Sequence, residues 1–462
     1  MTKDLINKKD IYFPSYYGTN ENLLNLLNKT SQIICDCFSK TEKYGPLPIN
    51  ENFKCLMPDE DGIFPEDLLS EIQSLIKSSF NPVHPGSLAH LDPPPLIFSI
   101  IGDLIAASLN NNLLAYELSP SITLLEDSIC KWFAKKIGFS DYALGIAASG
   151  GTLSNLNALV AARYKAGLST NPHAVLLISE DAHSSFIKCI RIMGLHPNNL
   201  IKVKTDNNGC MDINNLKKTI DKCTKDNKKI FSVVGTLGTT IRGAIDPIKL
   251  IAQICRENNI WFHIDGSIGG IFSITSIPIE ELNSIKAANS ITINPQKIIG
   301  ITKTSSLLLV SDIDSLKDTF STGIPYISSE NNVIDRGEIG VQGSRPAEVI
   351  KLWLGLRFLG MNGIEDILKS SLDKKLFFEK NLSSDKFQIY SGPLHIISFI
   401  PKNMNTKESN SWTETTRTEL MKRNFMLSRP KYKNKYFLRA VFGNYNTTNS
   451  NIKDLLSLLN SQ

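Results

Sequence analysis

Five short stretches hold the side-chain types that chemistry needs. Lys297 lies between a β-branched run, Ile291-Thr292-Ile293, and a second apolar run, Leu307 to Val310. This spacing puts it in the turn between two buried strands. A lysine there is either a solvated loop residue or a partly buried amine. A partly desolvated amine loses affinity for its proton and becomes a nucleophile suited to Schiff-base chemistry. Asp265 ends the apolar run that starts at Ile260, and Gly266 and Ser267 follow it. A buried carboxylate needs a cationic or hydrogen-bonding partner, and a protonated pyridine nitrogen is one such partner. The small residues leave room for a flat ring.

His183, in Asp181-Ala-His-Ser-Ser185, falls just past the run Val175 to Ser179. A histidine there can stack on a heteroaromatic ring, or it can simply cap a helix. Ser149-Gly-Gly-Thr152 follows a strand pattern and opens a helix. Free N–H groups and the Thr152 hydroxyl would hold a phosphate, or the glycines serve only a tight turn. The stretch is neither a Walker motif nor GxGxxG. Thr236-Leu-Gly-Thr-Thr240 is a hydroxyl-rich turn after another strand pattern. A phosphate cradle, a ring-stacking histidine, an acid for a ring nitrogen and a lysine for an aldehyde together make the set needed to hold pyridoxal phosphate covalently. His84, His90 and Asp92 lie in a proline-rich stretch ending Pro93-Pro94-Pro95. That stretch is stiff and extended, and is either a linker or the rim of a pocket.

The elements that must position these residues follow from the pattern. Strands are expected at 144–148, 175–179, 201–204, 230–235, 260–265, 290–294 and 307–310. Helices are expected between them at 153–166, 184–193, 213–222, 247–258 and 280–287. This alternation predicts a mostly parallel α/β sheet, with ligands at the carboxyl ends of its strands. Before it, residues 1–82 form a helical arm that must dock on the body or on a second subunit. The large α/β domain spans 83–346. Residues 347–462 form a small α+β domain, with helices at 347–372, 413–423 and 452–459 and strands at 387–400 and 436–442.

The chain has 462 residues and a net charge of +5, too weak a bias to imply a nucleic-acid partner. Its eight cysteines sit mostly in apolar or amphipathic runs and read as reduced thiols of a cytoplasmic protein. The polar N-terminus has no signal-peptide core, and no apolar run reaches the ~18 residues of a membrane span. No metal site is expected.

With these motifs in view, the chain resembles the group II pyridoxal-phosphate-dependent amino-acid decarboxylases, relatives of the aromatic-L-amino-acid and glutamate decarboxylases. The resemblance runs nearly end to end. It is carried by Leu118-Ser-Pro120 with Leu125-Glu126, Ser149-Gly-Gly-Thr152, Ala182-His-Ser-Ser185, Leu237-Gly-Thr-Thr240, His263-Ile-Asp265, Asn294-Pro-Gln-Lys297 and Leu438-Arg-Ala-Val-Phe442. It implies the pyridoxal-phosphate-dependent transferase-like architecture of fold type I. It implies decarboxylation of an L-amino acid to an amine and carbon dioxide. The alternatives on this scaffold are aldehyde-forming oxidative deamination and a non-catalytic relative. Lys297 would bond the cofactor's aldehyde, Asp265 pair with its ring nitrogen and His183 stack on the ring. Thr240 and Ser267 would line the cofactor pocket, and Gly151, Thr152 and Asn294 would hold the phosphate. Tyr326 falls where the family has a loop tyrosine that returns a proton to the substrate carbon. That loop reaches the neighbouring subunit, so a homodimer is implied. Two departures stand out. Gln296 replaces the usual histidine before the lysine, and Gly266-Ser267 replace the usual small pair after the aspartate. Arg345 matches a family arginine position, either as an anion contact or as a brace.

Overall fold

The computed structural model describes residues 13–14, 19–48, 57, 62–323 and 333–461. Two N-terminal helices, α1 (Glu21–Ser39) and α2 (Pro65–Lys77), pack on each other, linked by the Lys29–Glu66 ion pair at 3.2 Å. Neither buries a residue fully. The apolar face of α3 (Ile97–Leu109) is also open, with Ile97, Leu104 and Leu109 exposed. Helix α4 (Pro120–Lys136) then leads into the central sheet.

That sheet is built from β1 (Leu144–Ala148), β2 (Ala174–Ser179), β3 (Leu200–Val203), β4 (Lys229–Thr236), β5 (Trp261–Gly266), β6 (Ser290–Ile293) and β7 (Ser306–Val310). Its order is β1-β7-β6-β5-β4-β2-β3. Helix α5 (Gly151–Lys165) joins β1 to β2 and lies across the sheet, and α6 (Ser185–Ile192) follows β2. All pairs are parallel except those of β7, which runs antiparallel to both β1 and β6. The reason is local: the connection from β6 to β7 carries no crossover helix, so the chain must reverse. That reversal puts Lys297 at the carboxyl end of β6. Most strand residues are buried, which is why they read as nearly continuous apolar runs. Polar residues interrupt the runs with period two: His263 and Asp265 on β5 stand directly opposite Ser290 and Thr292 on β6.

The C-terminal part begins with a helical stretch, α7 (Val349–Asn381), broken at Gly360 where φ is +60°. The single strand expected over 387–400 is two antiparallel strands, β8 (Phe387–Ser391) and β9 (Ile396–Pro401), because Gly392-Pro393 turns the chain. Helix α8 (Thr406–Lys422) starts earlier than expected, where Asn405 and Glu408 form a capping box. A two-residue hairpin (431–432 with 435–436) precedes β10 (Leu438–Val441), which pairs with β9. The helix over 280–287 is 3-10 in form. Phe378, Phe399 and Phe442 centre this second core, with ring centroids 5.6 and 5.3 Å apart.

Candidate active site

The carboxyl ends of the parallel strands converge on one cleft. His183, Thr236, Gly238, Thr239, Thr240, Asp265, Ser267, Ile268 and Lys297 line it. Residues as far apart in sequence as His183 and Lys297 meet because β2, β4, β5 and β6 end side by side. Burial pushes the Lys297 ammonium below its ordinary pKa, while Asp265 opposes the shift. Burial works against the charge on Asp265, but Lys297, Ser267 and His183 outweigh it and hold the carboxyl below the usual range. Burial, opposed by Asp265 and aided by Lys297, pushes the His183 ring below its ordinary pKa. Its Nδ1 accepts the Ser185 N–H at 3.2 Å, which fixes the ring at the head of α6.

The start of α5 forms a cradle. A Cβ on Gly151 would lie 2.6 Å from Ser267 Oγ and 2.8 Å from Asn294 Nδ2. Those two groups therefore face the free N–H end of the helix at a distance only glycine allows. Ser154 and Ser306 hydroxyls lie 2.7 Å apart, and Ser306 Oγ donates to Asn294 Oδ1 at 2.6 Å. With its oxygen so occupied, Asn294 turns its amide nitrogen toward Gly151. Thr152 is exposed beside it. Thr236 Oγ1, on the cleft wall, is buried without a partner among the described residues. These donors suit a phosphate, and the Asp265–Lys297 pair suits a pyridine ring bearing an aldehyde.

Other sequence candidates fall elsewhere. Tyr326 lies outside the described residues. Gln296 turns back and accepts the Ser305 N–H, closing the turn that carries Lys297. Asp92 pairs with Lys303. His90 meets Phe80 edge-on, and burial, then Arg439, Arg417 and Lys303, pushes it below its ordinary pKa. Arg345 is a brace: its guanidinium is buried against Glu126, with contacts of 2.8 and 2.5 Å. Two groups went unread in the sequence. Arg439 donates to the Thr240 carbonyl at 2.7 Å and the Ala89 carbonyl at 2.9 Å, which places a half-buried cation between cleft and rim. Asn155 donates to Asp265 Oδ2 at 3.2 Å from beneath the site. Asn155 does not stand out in the sequence, because its helix also buries Ser154, Asn157 and Arg163.

His395, just before β9, is fully buried, and both its ring nitrogens lack partners among the described residues. Burial, with Lys297 adding to it, pushes its pKa down to about 3. Its unfolded value is near 6.5, so the unfolded chain takes up a proton that the native state refuses. The stabilisation is present above pH 6.5 and is lost as pH falls toward 3. His395→Leu is expected to flatten that acid limb by up to about 1.4 kcal/mol per pH unit. Urea unfolding across this range, with wild type beside the variant, measures it. Asp246, pushed up to about 7 by burial, contributes the opposite slope equally to both proteins.

The fold and the cleft define a pyridoxal-phosphate-binding scaffold. Residues 51–399 match the pyridoxal-dependent decarboxylase conserved domain, and the chain belongs to that family. Pyridoxal phosphate is its cofactor. The chain is 32% identical over 319 residues to an acidic amino acid decarboxylase, GADL1, of Xenopus tropicalis, covering 66% of this chain and 62% of that one. It spans about three fifths of the length of such relatives. It is 27% identical to an aromatic-L-amino-acid decarboxylase of Bacillus atrophaeus, over 86% and 85% of the two chains. In structure it resembles mouse CSAD, with a TM-score of 0.89, 23% identity and coverage of 96% and 99%. It also resembles Oryza sativa TDC with PLP and tryptamine, with a TM-score of 0.90, 19% identity and coverage of 97% and 98%. The architecture is that of fold type I.

Proposed function

We propose that the protein decarboxylates an L-amino acid to the corresponding amine and carbon dioxide. The observation that carries this reading is the meeting of Lys297, Asp265 and His183 in one cleft beside the Gly151 cradle. Bound pyridoxal phosphate supplies an electron sink for the charge left on the substrate carbon when carbon dioxide departs. Lys297, with its lowered proton affinity, is the amine that bonds the aldehyde. Asp265 stays ionised and holds the proton of the ring nitrogen. His183 stacks on the ring, and Thr240 and Ser267 line the pocket. Gly151, Thr152 and Asn294 hold the phosphate. Arg439, half-buried with only neutral carbonyl and hydroxyl partners, is the cation available to a substrate carboxylate. Burial lowers its pKa only to about 10, so it stays charged near neutrality.

Tyr326 returns the proton to the substrate carbon, from a loop that belongs to the neighbouring subunit's site. The open apolar faces of α1, α2 and α3 support a homodimer. The reading keeps a helical arm over 1–82, a cofactor domain over 83–346 and a small domain over 347–462, in the cytoplasm. No helix among the described residues is long and apolar enough to cross a membrane.

The test is a panel of L-aspartate, L-glutamate, L-2,4-diaminobutyrate and L-tryptophan with the purified, cofactor-loaded protein. One substrate is expected to give carbon dioxide and amine in equal amounts. Aldehyde and hydrogen peroxide in place of amine, or no product from any amino acid, would overturn the reading.

A further inference from the structure

Beneath the cleft, buried side chains form one continuous hydrogen-bonded run. Trp261 Nε1 donates to Ser290 Oγ at 2.9 Å. Ser290 Oγ lies 2.8 Å from His263 Nδ1, and His263 Nε2 lies 3.1 Å from Asn155 Oδ1. Asn155 Nδ2 reaches Asp265 Oδ2 at 3.2 Å, and Thr292 Oγ1 donates to Asn155 Oδ1 at 2.7 Å. Ser290, His263, Thr292 and Asn155 are at most 1% exposed, so water does not substitute for a missing partner.

The donor directions are coupled. An ionised Asp265 only accepts, so Asn155 must present its amide N–H₂ to the acid and its oxygen to His263 and Thr292. His263 then carries its proton on Nε2, and Nδ1 accepts from the Ser290 hydroxyl. Every buried polar atom of the run then has a partner. A proton on Oδ1 would leave the run unchanged and only weaken the charge-assisted bond from Asn155, whereas an Asp265 protonated on Oδ2, the oxygen facing Asn155, would reverse it. That acid would donate to the Asn155 oxygen, the flipped amide would face His263 Nε2, and His263 would donate from Nδ1 to Ser290. Ser290 already accepts from Trp261, and no third partner lies within bonding distance of its oxygen among the described residues. Its own proton would then be stranded in a dry interior. The Ser290 hydroxyl thus holds the run in the direction in which Asn155 donates to Asp265, the direction that favours the ionised acid.

We propose that Ser290, His263 and Asn155 are positioning residues that favour the ionised form of Asp265, and through it keep the proton on the cofactor's ring nitrogen. The proposal rests on the placement of Asp265 against that nitrogen. The other titratable groups facing Asp265 are Lys297 and His183 across the cleft, and Cys189 on α6. The cationic lysine favours the same charge state. The run adds its own preference to that of the lysine.

The experiment loads the full-length protein with ring-¹⁵N-labelled pyridoxal phosphate and follows the ring-nitrogen chemical shift from pH 7 to 10. Wild type, Ser290→Ala, Ser290→Thr, Asn155→Leu and Asp265→Asn are compared, each checked for folding by circular dichroism. In Ser290→Ala and Asn155→Leu the midpoint for loss of the ring proton is expected to fall by about one pH unit, the size of one lost buried hydrogen bond. Ser290→Thr keeps the hydroxyl and restores the wild-type curve. Should Asn155→Leu fail to fold, the Ser290 pair alone decides. Curves for Ser290→Ala that superimpose on wild type, while Asp265→Asn shifts strongly, overturn the proposal and leave the role of Asp265 standing. An unshifted Asp265→Asn removes the role of Asp265 and the proposal with it.

Discussion

Lys297→Ala is expected to abolish the visible absorbance of the cofactor-loaded protein and to lower amine formation by at least about three orders of magnitude, the scale for loss of a covalent-acting group. The reason is positional as much as chemical. Lys297 sits on a turn locked from both sides: Gln296 accepts the Ser305 N–H, and Asn294 is held through Ser306. Burial makes its amine a stronger nucleophile at neutral pH, and Asp265 alone holds its charge from the cleft side. Lys303, six residues on, is paired with Asp92 and does not line the cleft. Lys303→Ala is therefore expected to keep the absorbance. Borohydride reduction followed by peptide mapping checks both variants, with the cofactor retained on the peptide containing Lys297 in wild type and Lys303→Ala. Cofactor recovered on another lysine, or absorbance surviving in Lys297→Ala, would sink the assignment.

Much of this site was legible in the sequence because its parts follow strand ends. An apolar run closed by a polar or small residue marks both a buried strand and the position where ligands gather, so Asp265, His183 and the turn at Lys297 could be placed from pattern alone. The support beneath them was less accessible. His263 and Asp265 alternate on β5 as Ser290 and Thr292 do on β6, a period-two polar signal inside buried strands. Pattern alone does not show that Asn155, more than a hundred residues earlier, joins the two pairs, because that depends on how α5 crosses the sheet. Arg439 is harder still, since it meets Thr240 across 199 residues and through the packing of two separate cores. Strands 387–391 and 396–401 read as one run because apolar residues lie on both sides of Gly392-Pro393 and mask the turn between them.

Glu126→Ala is expected to destabilise the fold by about 3–5 kcal/mol, the range for removing one member of a buried ion pair. Glu126 is fully buried on α4 and does three things at once. It accepts both terminal nitrogens of Arg345, and it accepts the Ala147 N–H at 3.2 Å. It also faces Arg336, fully buried, whose Nε lies 4.0 Å away and whose Nη2 bonds Asp127 at 2.5 Å. The alanine would strand one guanidinium and weaken the field holding the other, because the Nε atoms of both arginines already lack partners among the described residues. It would also free the backbone of β1 two residues before Ser149, where the chain turns into the Gly151 cradle. Loss of cofactor affinity should therefore accompany the loss of stability. The double variant Glu126→Leu with Arg345→Met removes both charges and keeps much of the volume, so it should recover a large part of the stability. Urea unfolding of the three proteins, with a cofactor titration of each, separates these effects. A double variant no more stable than Glu126→Ala would show that the Ala147 contact, not the stranded arginine, sets the cost.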